Sequence, residues 1–113
     1  MKTFELVDAE AWHAEHPDSY WIPPLEVRAN LTVGNYAKLD FRYSEREGEC
    51  MWVEITEVKP RGYVGSLRNH TLYDVDLPYG VRIQFEFRHI IDAVTAGQMK
   101  EMQRVLKAKT HSG

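Results

Sequence analysis

The chain has 113 residues, 43% hydrophobic and 27% charged, and its 14 Lys/Arg against 17 Asp/Glu leave a net charge of −3. This is an ordinary globular composition for one domain; it excludes a disordered or collagen-like chain, and no apolar run approaches the ~20 residues of a transmembrane helix. A single cysteine, Cys50, excludes an internal disulfide framework and fits a reducing cytoplasm, while the opening MKTFELVDAE turns acidic too soon for a secretory signal.

The first segment, Asp8 to His16, predicts a short helix with Asp8 as N-cap, Glu10 near the positive end of the dipole and Pro17 as the stop. Ser19 to Pro24 should run extended. Pro24 then suits the first turn of a second helix over Leu25–Leu31, and Gly34 closes this helical lead-in (1–34).

From Tyr36 the apolar period changes to two. Ala37, Leu39, Phe41 and Tyr43 alternate with Lys38, Asp40 and Arg42, and residues 44–49 form a charged hairpin loop. Met51, Val53 and Ile55 make the next inward face, with Trp52, Glu54 and Thr56 opposite. Lys59-Pro60-Arg61-Gly62 reads as a turn, Tyr63–Leu67 as a third strand and Leu72–Leu77 as a fourth. After the corner Pro78-Tyr79-Gly80, Val81, Ile83, Phe85 and Phe87 alternate cleanly with charged and polar residues. Short strands with one apolar face and tight turns predict an α+β domain built on a small SH3-like barrel of four to five antiparallel strands over 35–92. Thr95 and Gln98 have capping-box spacing and open a C-terminal helix over 93–109, with Met99, Met102, Val105 and Leu106 as its apolar stripe and a fraying end from Lys109.

The runs MWVEITEV, GYVGSLRN and LPYGVRIQFEFRHIID, preceded by HPDSYWIPP and LTVGNYAKLDF, resemble the bacterial family known as domain of unknown function 2314. The resemblance covers about residues 16–94 and implies a source in bacteria or their phages. Most of the matching positions are strand-core or turn residues, so it implies a fold; the family carries no established reaction to transfer. The stretch Arg68–Thr71 departs from the family's shorter turn, and the C-terminal helix is an addition to it.

Few residues have the spacing that catalysis requires. His13 and His16 lie one helical turn apart but lack a third metal ligand at local spacing. Cys50 could pair with His70 or His89 only through the fold, and Glu45, Glu47 and Glu49 before it would raise the thiol pKa. Asp74 and Asp76 share a strand face without a cleft to separate their pKa values. No phosphate-binding loop, nucleophile elbow or cofactor motif occurs. The expectation is therefore a cytoplasmic, non-enzymatic module with no metal and no cofactor.

Two surfaces remain. Trp52 faces outward beside Glu54, and if the last strand is near, Arg82 and Gln84 share that surface; an aromatic among polar groups is a frequent anchor for a protein partner. The competing possibility is that Trp21 and Ile22 of the lead-in, or the C-terminal helix, cover Trp52. The alternative function is nucleic-acid binding through Lys100, Arg104, Lys107 and Lys109 on the last helix. The halves differ in charge: residues 1–57 hold five Lys/Arg and twelve Asp/Glu, net −7, and residues 58–113 hold nine and five, net +4. In a closed barrel these halves interleave, which leaves one basic edge at the C-terminus.

Overall fold

In the computed structural model, which describes residues 3–111, Asp8 caps helix α1 (Ala9–Glu15) as expected, its Oδ1 accepting the Ala11 N–H at 3.1 Å. That bond is the main reason the Asp8 carboxyl lies below its usual pKa, with Arg88 adding to it. Helix α2 (Leu25–Arg28) begins after Pro24 but ends three residues before the expected Leu31. The cause is tertiary: the Leu31 N–H is bonded to the Tyr63 hydroxyl at 3.0 Å instead of continuing the helix.

Six antiparallel strands follow the period-two pattern: β1 (Glu5–Leu6), β2 (Tyr36–Arg42), β3 (Gly48–Lys59), β4 (Gly62–Leu67), β5 (Arg82–Glu86) and β6 (Ile90–Val94). They form one curled sheet, a half-barrel, in the order β1-β2-β3-β4-β5, with β6 also paired to β2. β1 meets β2 at Phe41 and Arg42, whereas β6 meets it from Tyr36 to Leu39, so the two share one flank of β2. Ala37, Leu39, Phe41, Met51, Val53 and Ile55 all enter the core, together with Tyr63, Leu67, Ile83, Phe85 and Ile90. Gly65 is required where β4 crosses β3, because a Cβ there would meet the Val53 side chain and sit 2.6 Å from the Glu54 carbonyl.

The structure corrects several boundaries. Residues 72–77 are not a strand. The Val75 and Leu77 N–H groups bond back to the carbonyls two residues earlier, each at 3.0 Å, so the chain curls on itself and β4 pairs directly with β5. Tyr73 and Leu77 still turn toward the protein, Leu77 buried and Tyr73 against the Tyr43 ring at 5.3 Å, while Leu72 is 90% exposed. The last strand stops at Glu86, because Phe87–His89 form a 3-10 turn. Ala93 and Val94, expected at the start of the helix, belong to β6 and pair with Ala37 and Tyr36. Helix α3 (Ala96–His111) starts after them behind the expected box: Thr95 N–H donates to Gln98 Oε1 at 2.8 Å and Gln98 N–H to Thr95 Oγ1 at 3.1 Å. It runs on to His111, past Lys109, whose side chain lies outside the described residues, as do residues 112–113. Of its apolar stripe only Met99 is buried; Met102, Val105 and Leu106 are exposed.

The lead-in is fastened to the half-barrel through Arg28, which is 5% exposed. Its guanidinium donates to the Pro23 carbonyl (2.8 Å), the Glu10 carboxylate (2.6 Å) and the Phe87 carbonyl (2.8 Å). Its own carbonyl accepts from the Tyr63 hydroxyl at 2.6 Å. Removing that hydroxyl strands the Arg28 carbonyl and the Leu31 N–H, so Tyr63→Phe should cost about 1–3 kcal/mol in urea denaturation.

The 3-10 turn carries a pH-dependent contribution. His89 Nδ1 accepts the Glu86 N–H at 2.9 Å, so the ring is bonded in its neutral form, and burial, reinforced by Arg88, lowers its pKa. Between the depressed native pKa and the unfolded value near 6.5 the unfolded chain binds more protons, so stability rises with pH across that window and is lost as pH falls through it. Denaturation midpoints should drop below about pH 6.5, and His89→Gln should flatten that slope.

Candidate functional site: the outer sheet face

The alternation that fills the core places a second set of side chains on the convex face. Cross-strand register aligns them in rows: Lys38 with Trp52, and Tyr36 with Glu54, Ser66 and Arg82. The expected residues do share this face, but not one cluster. Trp52 and Glu54 stand on β3, Arg82 and Gln84 on β5, and β4 separates them by about 10 Å at the usual strand spacing.

Around Trp52 the geometry is well defined. Its ring is half-buried, with Lys38 Nζ 5.5 Å from the centroid. The Trp52 backbone N–H donates to Asn69 Oδ1 at 2.5 Å, and its backbone carbonyl accepts the Arg68 N–H at 2.9 Å. Of the proposed covers, Trp21 is exposed while Ile22 is buried, and α3 is exposed from Lys100 to Ala108. Glu54 beside it accepts from the Tyr36 hydroxyl (3.1 Å) and from Arg68 Nε (3.2 Å). Burial and the Glu54 charge push the Tyr36 phenol up. Arg68 also lies over the Tyr79 ring at 5.5 Å, and His70 stacks on Tyr79 at 4.8 Å. A strip therefore runs from Lys38 through Trp52 and Arg68 to Tyr79 and His70.

One end of the face is closed. Asp40, expected at the surface, is 4% exposed. Arg42 lies beside it, Nη2 donating to Oδ2 at 3.2 Å and Nε 3.1 Å from Oδ1 without hydrogen-bond alignment. The Tyr20 hydroxyl is buried near Asp40, and burial together with that charge pushes its pKa up to about 12. The lead-in thus covers the face at Asp40 rather than at Trp52.

The remaining reactive side chains do not converge. His13 Nδ1 is 2.7 Å from the Tyr20 carbonyl, and His16 stacks on Trp12. His89 serves the 3-10 turn, and Asp74 and Asp76 are exposed on the 68–81 loop. Among the described residues no group of three His, Cys, Asp or Glu could hold a metal ion. Cys50 pairs with Asp40 across β2. On α3, Lys100 borders a groove of about 390 Å³ with Tyr36, Met99 and Gln103, Arg104 is held by Glu101, and Lys107 is exposed.

Lys38 and Tyr36 could have been assigned to this site from the hairpin register around residues 43–48. Arg68 and Tyr79 could not, because the irregular 68–81 loop brings Tyr79 to Arg68. Comparison of the chain with family models, curated proteins and solved structures finds no match in any of the three.

Burial first and then Asp40 raise the Cys50 thiol pKa above its ordinary value. Iodoacetamide alkylation followed against pH should therefore show a midpoint above that of free cysteine. Asp40→Asn should move it back toward the ordinary value.

Proposed function

We propose that the chain is a non-enzymatic protein-binding module whose partner docks on the outer face around Trp52. The observation that carries this reading is the strip Lys38–Trp52–Arg68–Tyr79, in which Glu54 and the Tyr79 ring hold the Arg68 guanidinium, His70 stacks on Tyr79 and the Lys38 ammonium lies over the Trp52 ring. Groups held in place before binding lose little side-chain entropy on docking, and Trp, Tyr and Arg are the residues that anchor interfaces. Glu54 within the strip neutralises Arg68, which suits a mixed polar protein surface better than a phosphate backbone.

The resemblance of residues 16–94 to the bacterial domain of unknown function 2314 supports a source in bacteria or their phages, and the single Cys50 supports a place in the cytoplasm. Among the described residues no helix is long and apolar enough to cross a membrane. The succession β2 to β5, a 3-10 turn, and β6 returning to β2 supports an SH3-like barrel as the finer description of the half-barrel. Arg82 and Gln84 then belong to a separate part of the surface, two strands away from the anchor.

Nucleic-acid binding through Lys100, Arg104 and Lys107 is the second reading, favoured by the groove that places Lys100 next to Tyr36. Affinity capture from bacterial lysate, followed by titration of the purified partner, separates the two. Trp52→Ala and Tyr79→Ala, each verified as folded by circular dichroism, should weaken the protein complex by about tenfold or more, while Lys107→Ala leaves it unchanged. Unchanged affinity in both aromatic variants would refute the site. Binding to single-stranded oligonucleotides that falls steeply with salt and is lost on removal of residues 99–113 would favour the second reading.

A further inference from the structure

Among the described residues β5 pairs with β4 and stands at the end of the strand order, so no further strand is laddered to its other edge. The bonds flanking this ladder, Leu67 N–H to the Val81 carbonyl (2.9 Å) and Phe87 N–H to the Arg61 carbonyl (3.1 Å), set its parity. With the unbroken register Gly65↔Ile83 and Tyr63↔Phe85, the odd-numbered residues bond to β4. The backbone groups of Arg82, Gln84 and Glu86 therefore point out of the sheet. His89 takes the Glu86 N–H. Among the described residues the amide and carbonyl groups of Arg82 and Gln84 have no partner.

Such an edge is a template for another strand, and proteins that avoid pairing blunt it with a proline, a bulge, a covering segment or charged side chains. β5 has no proline and no bulge over Arg82–Glu86, and its two charges are of opposite sign. Its side chains also select the occupant. In an antiparallel two-fold pairing centred on Gln84, each Arg82 stands directly opposite the Glu86 of the other strand. The sequence Arg-Ile-Gln-Phe-Glu is thus self-complementary in charge when it meets itself reversed. The two Gln84 residues exchange a pair of backbone hydrogen bonds, while His89 engages both backbone groups of Glu86, its Nδ1 accepting the N–H and its own N–H closing the 3-10 turn on the carbonyl.

We propose that the chain forms a symmetric homodimer in solution by antiparallel β5–β5 pairing centred on Gln84, joining two half-barrels into one continuous sheet. This does not rest on the partner-binding reading, because it uses the backbone edge of β5, whereas Trp52 stands on β3, two strands away.

Sedimentation equilibrium of the full chain from about 1 µM to about 1 mM tests it. The expected result is a reversible monomer–dimer equilibrium. Gln84→Pro removes only the outward N–H, leaves the β4 ladder intact, and should raise the dimer Kd at least about tenfold with circular dichroism unchanged. The charge pair gives a test that does not depend on the proline variant folding. R82E alone and E86R alone each set like charges opposite and should weaken the dimer about tenfold, while R82E with E86R restores it. A monomer at every concentration overturns the proposal. So does a dimer indifferent to these substitutions, which would instead use another surface such as the exposed apolar side of α3.

Discussion

The buried guanidinium of Arg28 organises this structure. A charge placed at that depth is tolerated only where its donors are satisfied. The three acceptors that satisfy it come from three parts of the chain: Pro23 before α2, Glu10 on α1 and Phe87 at the 3-10 turn. Tyr63 completes the lock from within the core, donating to the Arg28 carbonyl and accepting from Leu31. The route of the lead-in across the half-barrel follows from these bonds, and so does the early end of α2. Arg88, next to the Phe87 acceptor, then reaches the Asp8 cap at 3.0 Å, so the same turn holds both ends of α1's approach.

From that fixed route follows the division of the outer face. The chain entering α2 carries Tyr20 over Asp40 and closes one end of β2 and β3. Beyond Lys38 the start of α3 reaches the face at Tyr36, and among the described residues Trp52 has the Lys38 ammonium over its ring and Asn69 on its backbone N–H. The polar groups that remain are largely engaged with one another, Glu54 with Tyr36 and Arg68, and Arg68 with Tyr79. The Glu54 carboxylate thus shares one oxygen between two donors, which makes it a stiff part of the proposed docking surface.

Much of the sheet was legible in the sequence because alternation reports burial directly. Every inward residue of β2 and β3 was identifiable, as were the Asp8 cap and the Thr95–Gln98 box. What failed did so for tertiary reasons. The segment 72–77 alternates like a strand, yet its amides bond within the loop, and alternation alone cannot distinguish a ladder from a chain that curls over the same core. β6 was hidden because Ala93 and Val94 run straight into a capping box, and its partner β2 is more than fifty residues earlier. Asp40 read as solvent-facing by parity, which was correct about direction and wrong about exposure, because the covering residue arrives from a segment with no periodic signal. At the site, Trp52 and Glu54 were legible from parity, whereas Arg68 and Tyr79 depend on a loop whose path no local pattern encodes.

The charge asymmetry of the chain shows the same limit. Three of its ion pairs join the basic second half to the acidic first half: Arg88 with Asp8 at the lead-in, Arg68 with Glu54 on the outer face, and Lys59 with Glu57 beside the β3–β4 turn. Others, such as Arg28 with Glu10 and Arg104 with Glu101, lie within a half. Lys59, Arg68 and Arg88 thus fasten the second half to the acidic segments before it, while Lys100 and Lys107 stand exposed on α3. A split that in sequence resembles an electrostatic signal for an external partner is in part the record of internal pairing.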